Sequence, residues 1–214
     1  MYWNTVNELL RESLSILMKS KEFEPFRLVG GTSLSLQIGH RISVDIDLFT
    51  DEDYGSVDFD SIDAFLTANF NYVDADFGSP VGMGRSYLIG RDRENNVKLD
   101  LFYTTEKFIQ PPLEEQGVRM ATIEEIIAMK VDVVSRGGRK KDFWDLHELL
   151  PKYTINRMLE LHLQRSEHTH DRLQILKNFR DFTMADDDFD PECLRGKYWE
   201  FIKEDIEIGL AKII

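Results

Sequence analysis

The order of apolar and polar residues divides the chain into a half in which helices and strands alternate and a half that is helical throughout. Residues 6–17 carry apolar side chains at helical spacing, and Thr5 with Glu8 predicts a capping box at the start of this first helix. A short strand over 26–29 and a short helix that ends at Gly39 follow. The other elements predicted in this half are a strand over 43–49, a helix over 60–69, and strands over 72–76, 85–90 and 97–104.

The second half begins after Pro111 and Pro112. The polar run from these prolines to Met120 predicts a connection, and strand patterns are not found beyond it. The helices predicted beyond it cover 122–134, 142–150, 154–165, 171–182 and 197–212. The pattern therefore predicts an α+β protein, with an α/β half over residues 1–110 and an all-helical half over residues 111–214.

Composition excludes several classes of protein. With 42% hydrophobic and 11% aromatic residues the chain can bury a core, so general disorder is excluded. The net charge of −13 argues against a protein that coats nucleic acid through bulk electrostatics. Two segments carry this imbalance, because 45–63 contains eight acids and 181–192 contains six, with no base in either.

Cys193 is the single cysteine in the sequence, which excludes an intramolecular disulfide and a cysteine-rich zinc site. The sequence contains no window of about 18 apolar residues, so no membrane span is predicted. We therefore expect a cytoplasmic protein that does not act at a membrane.

Acidic residues at every second position suggest a metal site. Along the strand that ends at Phe49, Ser43, Asp45 and Asp47 share one face, and two carboxylates at this spacing suit hard divalent cations. Asp100 could add a third carboxylate from a neighbouring strand, although Lys98 could instead pair with it. The alternative interpretation is an edge strand with solvated acids.

A glycine pair precedes this strand. Gly30 and Gly31 lie where a strand turns into a helix, so backbone N–H groups would point at any ligand there, with Thr32 and Ser33 hydroxyls as further donors. That geometry binds phosphate. Taken alone, the motif also fits a plain turn and helix cap.

Lys130 lies on the apolar side of a predicted helix. Thr122 and Glu125 form a capping box that sets the register of this helix, and Lys130 falls on the same stripe as Ile126 and Ile127. A lysine in this position must extend to solvent, meet a buried carboxylate, or line a site where negative charge binds. The sequence leaves these three alternatives open.

The stretch 130–141 carries a charge of +4 and could attract a polyanionic substrate, or form a solvated loop between helices. Asp142 and Asp145 follow on the next helix, where each could face a site or only favour the helix N-terminus. The acidic run 185–192 predicts a solvated loop, with docking of a basic partner as the alternative.

With these residues assembled, the chain resembles the minimal nucleotidyltransferases of the AbiEii/AbiGii toxin family, within the DNA polymerase β-like superfamily. The resemblance covers about residues 25–150. It runs through the blocks at 28–36, 40–49, 98–101, 128–130 and 136–146. It implies a nucleotidyltransferase-like mixed β-sheet with flanking helices, and a helical C-terminal region that completes the active-site cleft.

The resemblance also implies residue roles. Three acids would ligate Mg²⁺: Asp45, Asp47 and Asp100. The expected nucleotide-binding residues are Gly30, Gly31, Thr32, Ser33, Arg41, Ser43 and Lys130. The expected catalytic set comprises Asp45, Asp47, Asp100, Lys130, Asp142 and Asp145.

The function expected from this resemblance is metal-dependent transfer of NMP from an NTP to an acceptor hydroxyl. The resemblance implies an RNA acceptor such as tRNA, toxicity, and a cognate antitoxin. Two alternatives stay open. One is a small-molecule nucleotidyltransferase or other phosphotransferase, and the other is a non-catalytic binding module on the same fold.

Overall fold

The strand segments assemble into one mixed sheet. The protein is represented by a computed structural model that describes residues 1–213, so Ile214, the last residue of the predicted helical half, lies outside it. Seven strands are present in the described chain: β1 (Arg27–Leu28), β2 (Asp45–Thr50), β3 (Tyr72–Asp74), β4 (Gly84–Gly90), β5 (Asn96–Tyr103), β6 (Leu113–Glu115) and β7 (Val118–Met120). Their order across the sheet is β3-β4-β5-β2-β1-β7-β6.

The register between two central strands positions the acidic residues. β2 and β5 are parallel, with Asp47 opposite Asp100 and Asp45 opposite Lys98. Side chains alternate across a sheet, so these four polar residues lie on one face while Ile46 and its alternating neighbours are buried on the other. The pairing therefore extends the polar row of β2 onto β5.

Helices cover both faces of this sheet. They are α1 (Glu8–Lys19), α2 (Gly30–Ile38), α3 (Phe59–Asn69), α4 (Ile123–Val134), α5 (Lys140–Leu149), α6 (Ile155–Arg165), α7 (Arg172–Asn178), α8 (Thr183–Asp186) and α9 (Trp199–Ala211). One core joins α1 and α3 to the apolar side of the sheet. A second core joins α2 to the C-terminal helices. These features confirm the predicted α+β class. Within residues 1–213, no helix is long and apolar enough to cross a membrane.

The start of the first helix differs from the prediction. Asn7 caps α1, because its side chain accepts a hydrogen bond from the backbone of Leu10 at 2.8 Å. The Thr5 hydroxyl instead donates to the Tyr2 carbonyl at 2.7 Å within a short 3-10 turn. The predicted capping box of Thr5 and Glu8 is therefore wrong.

The polar run after the prolines forms a β-hairpin, which we did not predict. β6 and β7 pair around a turn in which Gln116 and Gly117 both have positive φ, and β7 pairs in parallel with β1. Val118 and Met120 are buried beneath α1, and their burial explains why so short a strand forms. The hairpin adds residues 113–120 to the sheet.

The helix predicted over 171–182 is interrupted. α7 ends at Asn178, whose side chain donates to the Ser135 carbonyl, and the separate α8 begins at Thr183. Phe179 and Phe182 are both buried against Phe143, so the break turns two aromatic rings into the same core.

Candidate active site

Three carboxylates lie side by side on the polar face of the sheet, and we refer to Asp45, Asp47 and Asp100 as the carboxylate face. Asp47 and Asp100 are direct neighbours across β2 and β5. Two lysines contact this face. Lys98 Nζ lies 2.5 Å from Asp100 Oδ2, and Lys141 Nζ lies 3.9 Å from Asp45 Oδ2. The pairing of Lys98 with Asp100 was one of the alternatives left open by the sequence.

The carboxylate face holds more negative charge than its neighbours compensate. Burial raises the pKa of Asp47 to about 6, and the charges of Asp100 and Asp45 contribute to the rise. Asp100 Oδ1 is buried and has no hydrogen-bond partner among the described residues. A carboxylate oxygen without a donor, beside a carboxylate that resists ionisation, fits the ligation of a hard cation.

These donors do not form a closed metal-binding geometry. Residues 1–213 contain no group of three His, Cys, Asp or Glu side chains placed to hold a metal ion together. Lys98 draws one oxygen of Asp100 into an ion pair. The chemistry of the carboxylates therefore fits a divalent cation, while their present arrangement directs one of them to a lysine.

The N-terminus of α2 opens onto the same place. Within residues 1–213 no side chain caps this helix, and the N–H groups of Gly30 and Gly31 have no intrahelical or side-chain acceptor. Gly30 has a φ of +66°, and a Cβ there would lie 2.7 Å from Asp47 Oδ2. A side chain at Gly31 would overlap the guanidinium of Arg41. Both glycines are required so that the helix N-terminus can approach the carboxylate face.

The hydroxyls predicted to bind phosphate are directed into the fold. Thr32 is buried, and its Oγ1 donates to the Asp45 carbonyl and lies 2.8 Å from Ser43 Oγ. Ser33 is also buried, and its Oγ accepts from Gln37 at 3.1 Å. Thr32 therefore ties α2 to Ser43 and β2, Ser33 bonds within α2, and the backbone of Gly30 and Gly31 faces the cleft.

A second group of charged residues lies behind α2, and we call His40, Arg41, Lys130, Asp142 and Asp145 the buried ionic cluster. Asp145 is fully buried and accepts from Arg41 Nε at 2.6 Å and from Arg41 Nη2 at 2.8 Å. His40 Nε2 lies 2.7 Å from the same carboxylate. Lys130 Nζ lies 2.6 Å from Asp142 and 2.8 Å from Asp145.

The cations of this cluster control the ionisation of Asp145. Burial by itself would raise the pKa of its carboxyl group, but the charges of Lys130 and Arg41 and the hydrogen bonds from Arg41 and His40 hold that pKa well below its usual range. Among the alternatives for Lys130, the structure shows contact with buried carboxylates. Arg41, expected to meet phosphate, is committed to Asp145.

A cleft of about 550 Å³ joins the two groups. The sheet half contributes Gly30, Gly31 and Asp47, and the helical half contributes Lys130 and Asp142 among others. The remaining charged residues on its wall are Asp132, Arg136, Lys141 and Arg165. One wall of the cleft is therefore acidic and comes from β2. The opposite wall is formed by residues 129–165 of the helical half and carries four cations, Lys130, Arg136, Lys141 and Arg165.

Arg165 and Glu125 were missed by the sequence reasoning. Arg165 donates to Glu125 Oε1 and to Thr104 Oγ1, both at 2.6 Å, and Glu125 also accepts from the backbone of Ile109 at 2.7 Å. Only half of the capping box at Thr122 forms, since Glu125 turns inward. Arg165 follows buried Leu161 by four positions, so the spacing argument that selected Lys130 also applies to it.

The acidic run and the basic loop pair with each other. Arg139 bonds Asp188 at 3.2 Å, and Lys140 Nζ lies 2.8 Å from Asp190 Oδ1. We call this pairing the acidic clasp. It contradicts the prediction of a purely solvated loop over 185–192, and it leaves Arg136 and Lys141 as the cations of the basic loop that line the cleft.

The fold and the site together define a class of protein. A mixed sheet with aspartates paired across two parallel strands, next to a glycine-led helix N-terminus, is the architecture of a nucleotidyltransferase. The model of one family, nucleotidyl transferase AbiEii toxin of type IV toxin–antitoxin systems, matches residues 12–212. The chain belongs to this family, and the predicted resemblance is confirmed.

Individual proteins are similar to this chain in sequence or in fold. An uncharacterized protein of Aquifex aeolicus (strain VF5) is 27% identical over 203 residues, covering 91% of this chain and 90% of the relative. JHP933 from Helicobacter pylori has a similar fold, with a TM-score of 0.59, 18% identity, and coverage of 95% of this chain and 88% of that chain. MenT4, a nucleotidyltransferase toxin of Mycobacterium tuberculosis H37Rv, has a TM-score of 0.57 at 14% identity, covering 94% and 81%.

Proposed function

We propose that this protein transfers NMP from an NTP to an acceptor hydroxyl in a metal-dependent reaction. The proposed acceptor is RNA, and tRNA is the first RNA to test. A cognate antitoxin would counter the resulting toxicity. Family membership supports nucleotidyl transfer, a toxin role and an antitoxin partner. In this proposal residues 1–110 supply the catalytic core and 111–214 complete the cleft, with the hairpin at 113–120 joined to the sheet. The protein would act in the cytoplasm.

One observation carries the proposal. Asp47 of the carboxylate face and the uncapped N-terminus of α2 meet in one cleft, with Gly30 as close to Asp47 as a residue without a side chain permits. A nucleoside triphosphate needs both features, because backbone N–H groups bind its phosphates and carboxylates hold the accompanying cation. Asp45, Asp47 and Asp100 would hold Mg²⁺, which stabilises charge on the attacking and leaving oxygens when bound.

The residues of the chain would divide the remaining work. The N–H groups of Gly30 and Gly31 would bind phosphate oxygens, and Arg136 and Lys141 would attract the polyanion from the opposite wall. The acceptor hydroxyl would form a bond to the α-phosphorus as the bridging bond to the β-phosphate breaks. Pyrophosphate would leave, and the hydroxyl proton would pass to solvent.

A labelling experiment tests the reaction and its acceptor. The protein is incubated with each α-labelled NTP, Mg²⁺, a mixed RNA pool and small metabolites, and the labelled product is identified. We expect label in RNA that disappears on adding EDTA. Label confined to small metabolites would instead support a small-molecule nucleotidyltransferase.

The carboxylates are tested by the double variant Asp45→Ala/Asp47→Ala. We expect transfer to fall by at least about a thousandfold, which is typical for loss of a metal site that stabilises the transition state. Glu52→Ala/Asp53→Ala is the matched control, because it removes the same charge from exposed positions of the same acidic segment. Unchanged transfer in the first variant would show that the site is assigned wrongly.

A further inference from the structure

Lys98 makes the shortest lysine contact with the carboxylate face, and the proposed transfer reaction gives it no role. Its Nζ lies 2.5 Å from Asp100 Oδ2, and its backbone lies opposite Asp45 across the parallel strands. We propose that Lys98 is a positioning residue that holds Asp100 in place and competes with a divalent cation for it. This inference rests on the proposed function, because it concerns the same carboxylates.

The polar face of the sheet explains the competition. Asp45, Asp47, Lys98 and Asp100 form two rows on adjacent strands, so the ammonium group is the single positive charge within this array. Three adjacent carboxylates would repel one another strongly without a cation. Lys98 offsets part of this repulsion from inside the array, while Lys141 approaches Asp45 from the helical half at 3.9 Å.

The two oxygens of Asp100 differ in their contacts. Oδ2 is paired with Lys98, whereas Oδ1 is buried and has no partner within the described chain. A cation held by Asp47 and Asp100 would share the Asp100 carboxylate with the ammonium group of Lys98. Two positive charges on one carboxylate oppose each other, so binding of the cation would favour release of Lys98.

Release of Lys98 is sterically feasible. Its side chain is 49% exposed, against 16% for Asp100, and within residues 1–213 its ammonium group has Asp100 as its one acceptor. Lysine is flexible and strongly hydrated, so it can leave the carboxylate and extend to solvent. The pair is therefore weak enough to be displaced and strong enough to lower the affinity for a cation.

The test measures cation binding without turnover. Mn²⁺ titrations of wild type and Lys98→Met are followed by electron paramagnetic resonance and by the Mn²⁺-induced rise in Tm. Methionine keeps the length of the side chain and removes its charge. We expect Mn²⁺ to bind about fivefold more tightly to Lys98→Met, the gain typical of removing one partly exposed ion pair. Lys98→Arg should restore an affinity close to that of wild type.

Repeating the test in an Asp100→Asn protein separates two explanations. One is competition between Lys98 and the cation for Asp100, and the other is a general electrostatic effect of the lysine charge on cation binding. If Lys98 acts through Asp100, Lys98→Met should no longer change Mn²⁺ affinity in this background. Lys203→Met is the matched control, because it removes a lysine that is ion-paired with Asp186 at 2.9 Å and with Glu200 at 3.2 Å and forms no ion pair with the carboxylate face within residues 1–213. A gain that persists with Asn at position 100, or that Lys203→Met reproduces, would overturn the inference.

The remaining outcomes distinguish this inference from the proposed function. In one outcome, Mn²⁺ binds the wild type, Asp45→Ala/Asp47→Ala abolishes this binding, and Lys98→Met binds Mn²⁺ equally or more weakly than the wild type. That outcome overturns the role of Lys98 and leaves the proposed function intact. Absence of Mn²⁺ binding in every variant overturns both.

Discussion

The carboxylate face and the buried ionic cluster border the same cleft and both contain aspartates, yet the pKa values of these aspartates shift in opposite directions. In the cluster, three basic side chains converge on Asp145 and hold its pKa well below the usual range. On the carboxylate face, burial and two neighbouring acids raise the pKa of Asp47 to about 6. The cluster therefore stabilises the fold, whereas the carboxylate face retains uncompensated charge that can be used to bind a cation.

The largest effect is expected for Asp145→Asn, which removes the central charge of the cluster. Arg41 would lose both of its ion-pair contacts while remaining buried, and Lys130 would keep only Asp142. Breaking a buried ion pair in this way costs about 3–5 kcal/mol. Urea unfolding at pH 7 should show a loss of stability in this range.

Asp205→Asn is the control for this prediction. Asp205 also contacts a histidine, His147, at 2.8 Å, but its side chain is 58% exposed. Its substitution should cost less than about 1 kcal/mol. Equal losses in the two variants would remove the distinction between a buried cluster and ordinary surface pairing.

Lys130→Met should give the next largest effect. Each carboxylate that it contacts keeps another partner, since Arg139 N donates to Asp142 at 3.1 Å and Arg41 donates to Asp145. We therefore expect a loss of about 2–3 kcal/mol, smaller than for Asp145→Asn. Urea unfolding measures it, and titration with a non-hydrolysable NTP analogue measures affinity on the same samples. A stability loss below 1 kcal/mol together with tenfold weaker nucleotide binding would move Lys130 from the cluster to the substrate site.

The contrast between the two regions could be predicted only in part from the sequence. Period-two alternation correctly placed Asp45 and Asp47 on one face of β2, and Gly39 ends α2 as predicted. These two features could be predicted because each depends only on the spacing of residues within a single helix or strand. Such spacing could not reveal that Arg41 bonds Asp145, 104 residues away, instead of facing the cleft.

The hairpin at 113–120 was missed for a related reason. Its strands contain three residues each, and the exposed β6 reads as polar sequence. β7 is held by Leu28 of β1, which lies far away in the chain and pairs with Met120. Such short strands depend on tertiary packing, which overrides local propensity.

Asp47→Asn should increase stability and so tests the other side of the comparison. The folded protein binds the Asp47 proton more tightly than the unfolded chain does between about pH 4 and pH 6, so this residue lowers stability as the pH rises through that window. Asparagine removes the penalty. In EDTA we expect the variant to be about 2 kcal/mol more stable at pH 7, with the difference disappearing near pH 4. Urea unfolding across this pH range checks it, and a variant less stable at pH 7 would contradict the assignment of uncompensated charge.

The smallest effect on stability is expected at the acidic clasp. Like the buried ionic cluster, the clasp consists of ion pairs, but its side chains are partly exposed to solvent, as those of the carboxylate face are. Asp188→Asn/Asp190→Asn removes the partners of Arg139 and Lys140, and because Arg139 and Asp190 are mostly exposed, the loss should stay below about 1 kcal/mol. Freed of these partners, the two cations should strengthen binding of a single-stranded RNA several-fold at low salt. The gain should vanish at high salt, where exposed charges are screened.

Fluorescence anisotropy at two salt concentrations measures this change. The matched control is Asp187→Asn/Glu192→Gln, which removes the same charge from exposed positions of the same segment that make no ion pair in residues 1–213. If the control strengthens RNA binding equally, net charge alone explains the effect and the clasp has no specific role. If only the clasp variant does so, intramolecular acids limit access to the basic loop, and paired charge in this protein restrains binding as well as stabilising the fold.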